Sequence, residues 1–408
     1  MNNKKILAPN LRFNGFDGEW TIKTLDEIVN VIDCKHRTPE YVENGVPVVS
    51  PGTIKWGEID LLSPTKRVIE AEYESLMDHC APKKGDLVFS RNQSIGVASI
   101  IFNEDKFVLG QDTVLIQAKT VNSIFNYYRL QTNSVQTLIS KLSGGSTFAR
   151  INLKDLRKLK VTIVDSKSEQ QKIASFLSAV DEKIKQLTRK KELLENYKKG
   201  VMQQLFSGKL KFKDENGKAF PKWEQKFLEE LCELKNGYTF KSSSYRVEGK
   251  YLVVTIKNVQ DGYMSGDFSK ILTPPDNIET HQKLNLGDVL ISMTGNVGRV
   301  CRVSFENCLL NQRVGKFEVK NVHPDYFYHL INNPEFQDAM INAGQGAAQM
   351  NIGKKDILEF KITAASSFEE QKKIANYLSN IDNKIEIVHK QITQTQTFKK
   401  GLLQQMFV

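Results

Sequence analysis

Residues 169–206 of the chain read EQQKIASFLSAVDEKIKQLTRKKELLENYKKGVMQQLF, and residues 370–407 read EQKKIANYLSNIDNKIEIVHKQITQTQTFKKGLLQQMF. The two stretches align without a gap at a constant offset of 201 positions, so that Asp181 corresponds to Asp382 and Lys198 to Lys399. An internal repeat of this kind decides the organisation of a chain before any single residue does. It predicts two equivalent long helices, each attached to its own half of the protein.

Apolar residues recur every seven positions in both stretches, which is typical of a coiled coil. The predicted seam consists of Ile173, Leu177, Val180, Ile184, Leu187, Leu194, Ile374, Leu378, Ile381, Ile385, Val388 and Ile392. Lys198 and Lys399 are among the few polar exceptions to this pattern. A helix of this length spans about 57 Å, and it cannot bury a seam alone. We therefore expect an antiparallel helix pair related by a pseudo-twofold. The alternative is that each helix packs separately on its own domain.

The segments upstream of the two helices share a looser pattern. Trp20 and Trp223 stand at equivalent openings, and GDLVFSRNQSIGVA at 85–98 parallels GDVLISMTGNVGRV at 287–300. Short β-branched runs broken by Gly and Asn predict strands and tight turns. The predicted fold class is therefore α+β, with two similar domains built on curved, mainly antiparallel sheets and joined by the long helices. The expected bounds are 1–166 and 208–366 for the domains, and 167–207 and 367–408 for the helical segments.

Composition narrows the class of protein. A chain of 408 residues suits two or three domains. A net charge of +10 and a pI near 9.1 favour an anionic partner, although a merely lysine-rich soluble protein would show the same values. No apolar run is long enough for a membrane span, and the opening residues do not read as a signal peptide. Five cysteines without a CxxC pair predict free thiols, and a cytoplasmic location is expected.

Catalytic motifs are missing from the sequence. It contains no GxxxxGK[ST] phosphate loop and no HExxH helix, and its six histidines are scattered without a cysteine partner at zinc spacing. The sequence therefore predicts neither a catalytic site nor a metal site.

Polar loops, by contrast, carry side chains that are suited to nucleic acid. Arg, Asn and Gln can pair with base edges, whereas Lys, Ser and Thr hold phosphates. The candidates in the first half are Lys35, His36, Arg37, Thr38, Lys55, Trp56, Arg91, Asn92, Gln93, Ser94, Thr147, Phe148 and Arg150. Their counterparts in the second half are Tyr238, Thr239, Phe240, Lys241, Lys257, Asn258, Thr294, Asn296, Arg299, Gln345 and Gln349. For any single residue, an ordinary solvated loop position is the alternative.

Two of these side chains receive specific expectations. Arg91 follows the strand GDLVF directly, and we expect it to contact a base edge. Its alternative is a salt bridge to a nearby carboxylate such as Asp112. Lys55 is expected to contact a phosphate.

Taken together, the repeated EQxKIAxxLxxxDxKI…KKGxxQQxF segments, the GDLVFSR and GDVLISM signatures and the two tryptophan openings resemble the specificity subunit of a type I restriction-modification enzyme. The resemblance implies two target-recognition domains, each reading half of a bipartite site in double-stranded DNA. It implies that the long helices set the spacer and dock two methyltransferase (modification) subunits, in a complex with restriction/translocase subunits. It also implies that S-adenosylmethionine, ATP and Mg belong to those partners, and that this chain binds no cofactor and catalyses no reaction.

Two other classes of protein stay open at this point. A catalytic DNA methyltransferase or nuclease would need a motif that the chain lacks. A coiled-coil scaffold that binds no DNA would leave the polar loops unexplained.

Overall fold

A computed structural model describes residues 7–144, 149–345 and 350–408. By its internal packing the chain divides into two units. Unit 1 comprises Met1–Arg189 with His389–Val408, and unit 2 comprises Lys190–Val388. This division differs from the four consecutive segments expected from the sequence, because it cuts both long helices and gives each unit a part of each.

The elements of the first half are short, apart from one helix. Its strands are β1 (Trp20–Thr24), β2 (Val29–Asp33), β3 (Val46–Val49), β4 (Gly57–Glu58), β5 (Arg67–Val68), β6 (Leu87–Ser90), β7 (Ala98–Ile100), β8 (Val108–Leu109), β9 (Thr113–Ala118) and β10 (Lys160–Val164). Its helices are α1 (Leu25–Ile28), α2 (Glu70–Met77), α3 (Ser123–Leu130), α4 (Asn133–Ser143), α5 (Leu153–Arg157) and the long α6 (Lys167–Phe206).

The second half repeats this order with one helix fewer among the described residues. Its strands are β11 (Glu224–Phe227), β12 (Cys232–Asn236), β13 (Tyr251–Val254), β14 (Ser269–Ile271), β15 (Lys283–Leu284), β16 (Val289–Ser292), β17 (Val300–Arg302), β18 (Cys308–Leu310), β19 (Val314–Val319) and β20 (Lys361–Ala364). Its helices are α7 (Leu228–Leu231), α8 (Pro324–Ile331), α9 (Pro334–Ala343), α10 (Lys354–Leu358) and the long α11 (Phe368–Gln405).

Each unit is built on two main sheets and a separate strand pair. In unit 1 the sheets have the orders β2-β9-β6-β7-β4 and β5-β3-β8, and β1 pairs with β10. In unit 2 the orders are β12-β19-β16-β17 and β14-β13-β18-β15, and β11 pairs with β20. Most neighbours are antiparallel, with β3–β8, β4–β7 and β13–β18 as parallel exceptions. The predicted α+β class with mainly antiparallel sheets is therefore confirmed.

Within each unit the start of one long helix packs beside the end of the other. In unit 1, Ile173 and Leu177 share a buried core with Leu402 and Met406. In unit 2, Ile374 and Leu378 share a buried core with Val201, Met202 and Leu205. Such packing requires antiparallel helices, as predicted. The same residues also belong to the cores of their domains, so the helices pack on domain and partner helix at once.

The predicted seam is largely buried. Val180, Leu187, Ile381, Val388 and Ile392 are buried with the residues already named, and the remaining seam positions, Ile184, Leu194 and Ile385, are half-buried. Burial of the apolar stripe is what stabilises helices of this length, because propensity alone contributes little.

The polar exceptions in the seam form ion pairs between the helices. In unit 1 the Lys399 ammonium lies 2.7 Å from the Asp181 carboxylate. In unit 2 the Lys198 ammonium lies 2.6 Å from the Asp382 carboxylate. Both lysine side chains are only 15% exposed. A partly buried charge needs a partner, so these pairs fix the register of one helix on the other.

Aromatic residues at the ends of the long helices pack on aromatic residues of the domains. In unit 1 the Phe407 ring lies 5.2 Å from the Phe125 ring and 6.0 Å from the Trp20 ring, centroid to centroid. In unit 2 the Phe206 ring lies 6.1 Å from the Trp223 ring. The two tryptophan openings are therefore part of each unit's core. In the part of the chain that the structure describes, none of the helices has the length and apolar character of a membrane span.

Candidate nucleic-acid interface

Five loop segments of unit 1 meet on one face. They are 33–41 after β2, 50–56 after β3, 90–97 between β6 and β7, 110–112 before β9, and 149–152 before α5. We call this set the loop face of unit 1. The sheet order places β2, β9 and β6 side by side, and for that reason the loops at the ends of these strands converge.

Hydrogen bonds between the segments hold the loop face together. The Gln111 side-chain amide donates to the Thr38 hydroxyl at 3.2 Å, and the Ile151 backbone N–H donates to the Arg91 carbonyl at 3.0 Å. The Ser94 hydroxyl donates to the Pro51 carbonyl. Loops that satisfy one another in this way keep a defined shape in the absence of a partner.

The turn 90–97 requires special backbone conformations. Gln93 has φ +54° and Gly96 has φ +84°. A Cβ on Gly96 would lie 2.9 Å from the Gln136 side chain and 3.1 Å from Ile139. Glycine is therefore required here both by φ and by the close approach of α4. Gly298, at the equivalent turn of unit 2, has φ +79°, and a Cβ there would lie 2.7 Å from the Met340 Cβ.

Arg91 is a structural residue of this face. Its side chain is 5% exposed, and its guanidinium lies 2.7 Å from the Asp33 carboxylate and donates to the Ile151 carbonyl at 3.2 Å. This burial favours the salt-bridge alternative over the base contact that we expected, with Asp33 and not Asp112 as the partner. Asp33 ends β2 and Arg91 follows β6, so the pair ties two loops together across β9.

Most other cations predicted for the loop face of unit 1 are also paired with carboxylates. The Arg150 guanidinium lies 2.5 Å from Asp112, and the Lys35 ammonium lies 2.6 Å from Asp78. Arg37 pairs with Glu72, and His36 contacts Asp33 at 3.0 Å. These partners lower the net positive charge of the face and orient the donors, which stay partly exposed.

The remaining candidates of unit 1 differ in exposure. Lys55 is exposed, and its backbone N–H donates to the Ser99 hydroxyl at 3.2 Å. For its ammonium, neither an ion pair nor a hydrogen bond is found in the described part of the chain. Trp56 is half-buried with its ring 5.6 Å from the Tyr127 ring. Asn92 donates to the Asp112 carboxylate at 3.3 Å, and Gln93 is exposed. The candidates Thr147 and Phe148, and Gln349 in the second half, lie outside the described residues.

Unit 2 carries an equivalent loop face. Its segments are 236–245, 255–260, 292–298, 311–313 and 350–352. The Thr239 hydroxyl donates to the Gln312 side chain, and the Gly295 N–H donates to the Met350 carbonyl at 2.9 Å. The Thr294 hydroxyl donates to the Asn351 side chain at 2.9 Å. Hydrogen bonds therefore join the first segment to the fourth and the third to the fifth in both units, although the residues differ.

Some candidates of unit 2 support the loop face from within. Asn258 is fully buried, accepts from the Thr255 N–H at 2.9 Å and donates to the carbonyl of Asp267 at 2.8 Å. It shapes a turn and offers no free group. Thr294 is buried as well.

The other candidates of unit 2 are exposed or partly so. Tyr238 donates its hydroxyl to Asn277 at 2.9 Å, and its ring lies 5.0 Å from the Phe240 ring. Lys257 pairs with Asp267 at 3.2 Å, and Arg299 donates to Gln260 at 2.7 Å. The exposed members are Thr239, Lys241, Lys257, Asn296 and Gln345.

One loop of the face in each unit was not predicted from the sequence. Segments 110–112 and 311–313 bring Gln111, Gln312 and Arg313 to it. A signal was available in the sequence, because Gln111 and Gln312 stand at the same offset as the helix repeat, as do Thr38 and Thr239. In the structure each glutamine bonds to the threonine of its own unit.

Titratable groups near the face are accounted for without a ligand. Among the described residues, Asp33, Cys34 and His36 have a spacing that could hold a metal ion. The Asp33 carboxylate is already engaged by Arg91 and His36, so we assign no metal there. Burial raises the pKa of the Cys34 thiol, and it raises that of Cys80 to about 11. Such thiols are protonated and unreactive at neutral pH.

The chain is similar to known proteins in sequence and in fold. The family described as "Type I restriction modification DNA specificity domain" matches residues 17–196 and 221–396. A type I restriction enzyme specificity subunit (MjaVIII) of Methanocaldococcus jannaschii is 26% identical over 75% of each chain. A putative one (MjaX) from the same organism is 28% identical over 94% of this chain and 92% of its own.

Solved structures show the same fold. The crystal structure of a type I restriction-modification system S subunit from M. genitalium covers 98% of this chain and 99% of its own, with a TM-score of 0.60 at 18% identity. At that identity the likeness concerns the fold alone.

Proposed function

The chain belongs to the type I restriction-modification DNA specificity family and is a DNA sequence-specificity subunit, and on that premise we propose that each of its two units reads one half of a bipartite target in double-stranded DNA. The observation that carries this proposal is that the family match and the loop face both occur twice, in the same two parts of the chain. The family matches the chain twice, at 17–196 and 221–396, and each match holds one complete loop face. Two equivalent faces with different residues suit two different half-sites.

The loop faces supply groups of the kinds that DNA recognition needs. Exposed Lys55 and Lys241 are suited to phosphates, whereas Gln93, Asn296 and Arg150 carry groups that match base edges. Buried members such as Arg91 and Asn258 hold the loops in shape. This division of labour gives preorganised loops, which lose little conformational freedom on binding.

The relatives are named as specificity subunits of restriction enzymes, which implies a non-catalytic role. For this chain we place the chemistry in partner subunits. Two methyltransferase subunits would dock on the long helices, restriction/translocase subunits would join them, and S-adenosylmethionine, ATP and Mg would bind to those subunits in the cytoplasm. Large apolar side chains exposed on the helices, namely Leu193, Tyr197, Ile387 and Phe398, support such docking because each is more than half exposed. The helices would also set the spacer between the half-sites.

A domain exchange tests the proposal. Residues 212–365 would be replaced by the corresponding segment of another specificity subunit, and the methylated motif of a host carrying either gene would be determined by methylome sequencing. We expect one half of the motif to change and the other half to persist. A change in both halves would contradict the one-unit, one-half assignment.

Two further measurements separate the alternative classes. Methyl transfer to DNA by the purified chain alone would indicate a catalytic subunit. Absence of salt-sensitive binding to duplex DNA, measured at low and high salt, would indicate a scaffold without a nucleic-acid function.

A further inference from the structure

The two loop faces each carry an arginine at one of two equivalent positions, but not at the same one. In unit 1 the positions are Asp112, before β9, and Arg150, before α5. In unit 2, at the offset of the helix repeat, the same positions hold Arg313 and Asn351. Each loop face therefore presents one arginine at this place, but from a different segment of the same scaffold.

In unit 1 the arginine is held and still reaches solvent. The Arg150 guanidinium lies 2.5 Å from the Asp112 carboxylate, and the Arg150 side chain is 44% exposed. Asp112 is itself held by hydrogen bonds, because its carbonyl accepts from the Arg91 N–H at 2.9 Å and its carboxylate accepts from Asn92 at 3.3 Å. The backbones of Asn92 and Arg150 are bridged as well. One edge of the guanidinium is thus occupied by the carboxylate, and donors on the other edges are available to a partner.

In unit 2 the backbone of the arginine is fixed and its side chain is not engaged by a carboxylate in the described residues. The Arg313 N–H donates to the Asn311 side chain at 3.3 Å, and its carbonyl accepts from the Met293 N–H at 3.0 Å. Arg313 is exposed. Asn351 stands at the position of Arg150, and its side-chain oxygen accepts a hydrogen bond from the Thr294 hydroxyl.

We propose that Arg150 and Arg313 are the guanine-reading residues of their units, each donating to O6 and N7 of one guanine. The inference rests on the proposed function and names the residues that carry it. A guanidinium presents two parallel donors that match these two acceptors in the major groove, and this pairing is the commonest specific contact to a base. Asp112 is a positioning residue, since its carboxylate holds the Arg150 guanidinium in place without touching DNA.

The full chain, incubated with a library of duplexes carrying a randomised central region, gives the test. The wild-type chain should enrich a bipartite motif. Arg150→Ala should abolish the preference for guanine at one position of one half, and Arg313→Ala should do so at one position of the other half. The loss of discrimination expected at each position is roughly 5- to 150-fold, the range for one bidentate contact. Lys158→Ala, which removes an exposed cation outside the loop face, should leave the motif unchanged.

Conservative variants distinguish reading from general charge. Arg313→Lys keeps the charge and should retain the salt dependence of binding while weakening guanine preference, because an ammonium lacks the fixed pair of parallel donors that a guanidinium presents. Arg313→Gln should shift the preference at that position towards adenine, because a side-chain amide pairs with adenine N6 and N7. Asp112→Asn should weaken discrimination at the Arg150 position alone, with an unchanged thermal melt of the free protein.

The outcomes separate this inference from the proposed function. Should the wild-type chain enrich no motif at all, the proposed function fails. Should it enrich a motif while Arg150→Ala and Arg313→Ala weaken binding to every duplex alike, the two arginines hold phosphates and the inference is overturned. Melting curves of both variants identify any loss that comes from misfolding, and Arg313→Lys and Arg313→Gln then distinguish base reading from general charge.

Discussion

Removing the ring of Phe407 should destabilise unit 1 and spare unit 2. Phe407 is 6% exposed, and its ring packs on the rings of Trp20 and Phe125 in the core of unit 1. Truncation of a buried phenylalanine to alanine costs about 3–5 kcal/mol, because apolar contacts are lost and a cavity remains. The matched variant is Phe206→Ala in unit 2. Phe206 is only half-buried, so we expect about half that cost, roughly 2 kcal/mol.

Hydrogen exchange of the intact chain, followed by mass spectrometry, assigns each loss to a unit. In Phe407→Ala the amides of β1, β10 and α3 should exchange on the order of 100-fold faster or more, as a cost of about 3 kcal/mol implies. In Phe206→Ala the increase should be smaller and should fall on β11, β20 and α8. If Phe407→Ala accelerates exchange mainly within residues 190–388, the end of α11 does not complete the core of unit 1.

Three further predictions concern charges. Burial, with the nearby cations Lys198 and Arg302, holds the pKa of His329 well below its ordinary value of 6.5. The unfolded chain therefore binds a proton that the folded chain does not, so unit 2 loses stability as the pH falls below about 6.5. His329→Tyr, which installs the residue of the equivalent position Tyr128, should reduce this loss in melts at pH 7.5 and 5.5, even though Asp382 faces the same site. Asp181→Asn should cost about 1–3 kcal/mol in denaturant unfolding, because it leaves the partly buried Lys399 without its carboxylate; adding Lys399→Met should recover much of that. Lys55→Ala should weaken binding to all duplexes alike and flatten the salt slope by about one unit; a change of motif would refute its assignment to phosphate.

The long helices could be predicted because their signal is local and repeated. A heptad pattern is visible within any few turns of α6, and α11 repeats it at a constant offset in the sequence. Lys198 and Lys399 were visible only as exceptions to the pattern. Their partners Asp382 and Asp181 lie on the other helix, far away in sequence, so the ion pairs depend on an antiparallel register that the pattern alone does not set.

The loop faces could be predicted only as a set of loops. Arg91 looked like a reading residue because the sequence shows a polar turn after a strand. Its partner Asp33 ends a strand that lies two places away in the sheet, and sheet order is a long-range property. Segment 110–112 escaped notice because it is short and its one charged residue is acidic. Arg313 was missed with it, although it occupies the same position in unit 2.

The end of each long helix completes the core of the unit that holds the start of the other long helix, and this has a consequence for the synthesis of the chain. The core of unit 1 includes Leu402, Met406 and Phe407, which leave the ribosome about 200 residues after the rest of that unit. At a synthesis rate of about 5–20 residues per second, roughly 10–40 s pass between the synthesis of residues 1–189 and that of the end of α11. A product that stopped early would expose the apolar cleft around Trp20 and Phe125 to chaperones and proteases. The core of unit 1 is therefore complete only after the end of α11 has been synthesised.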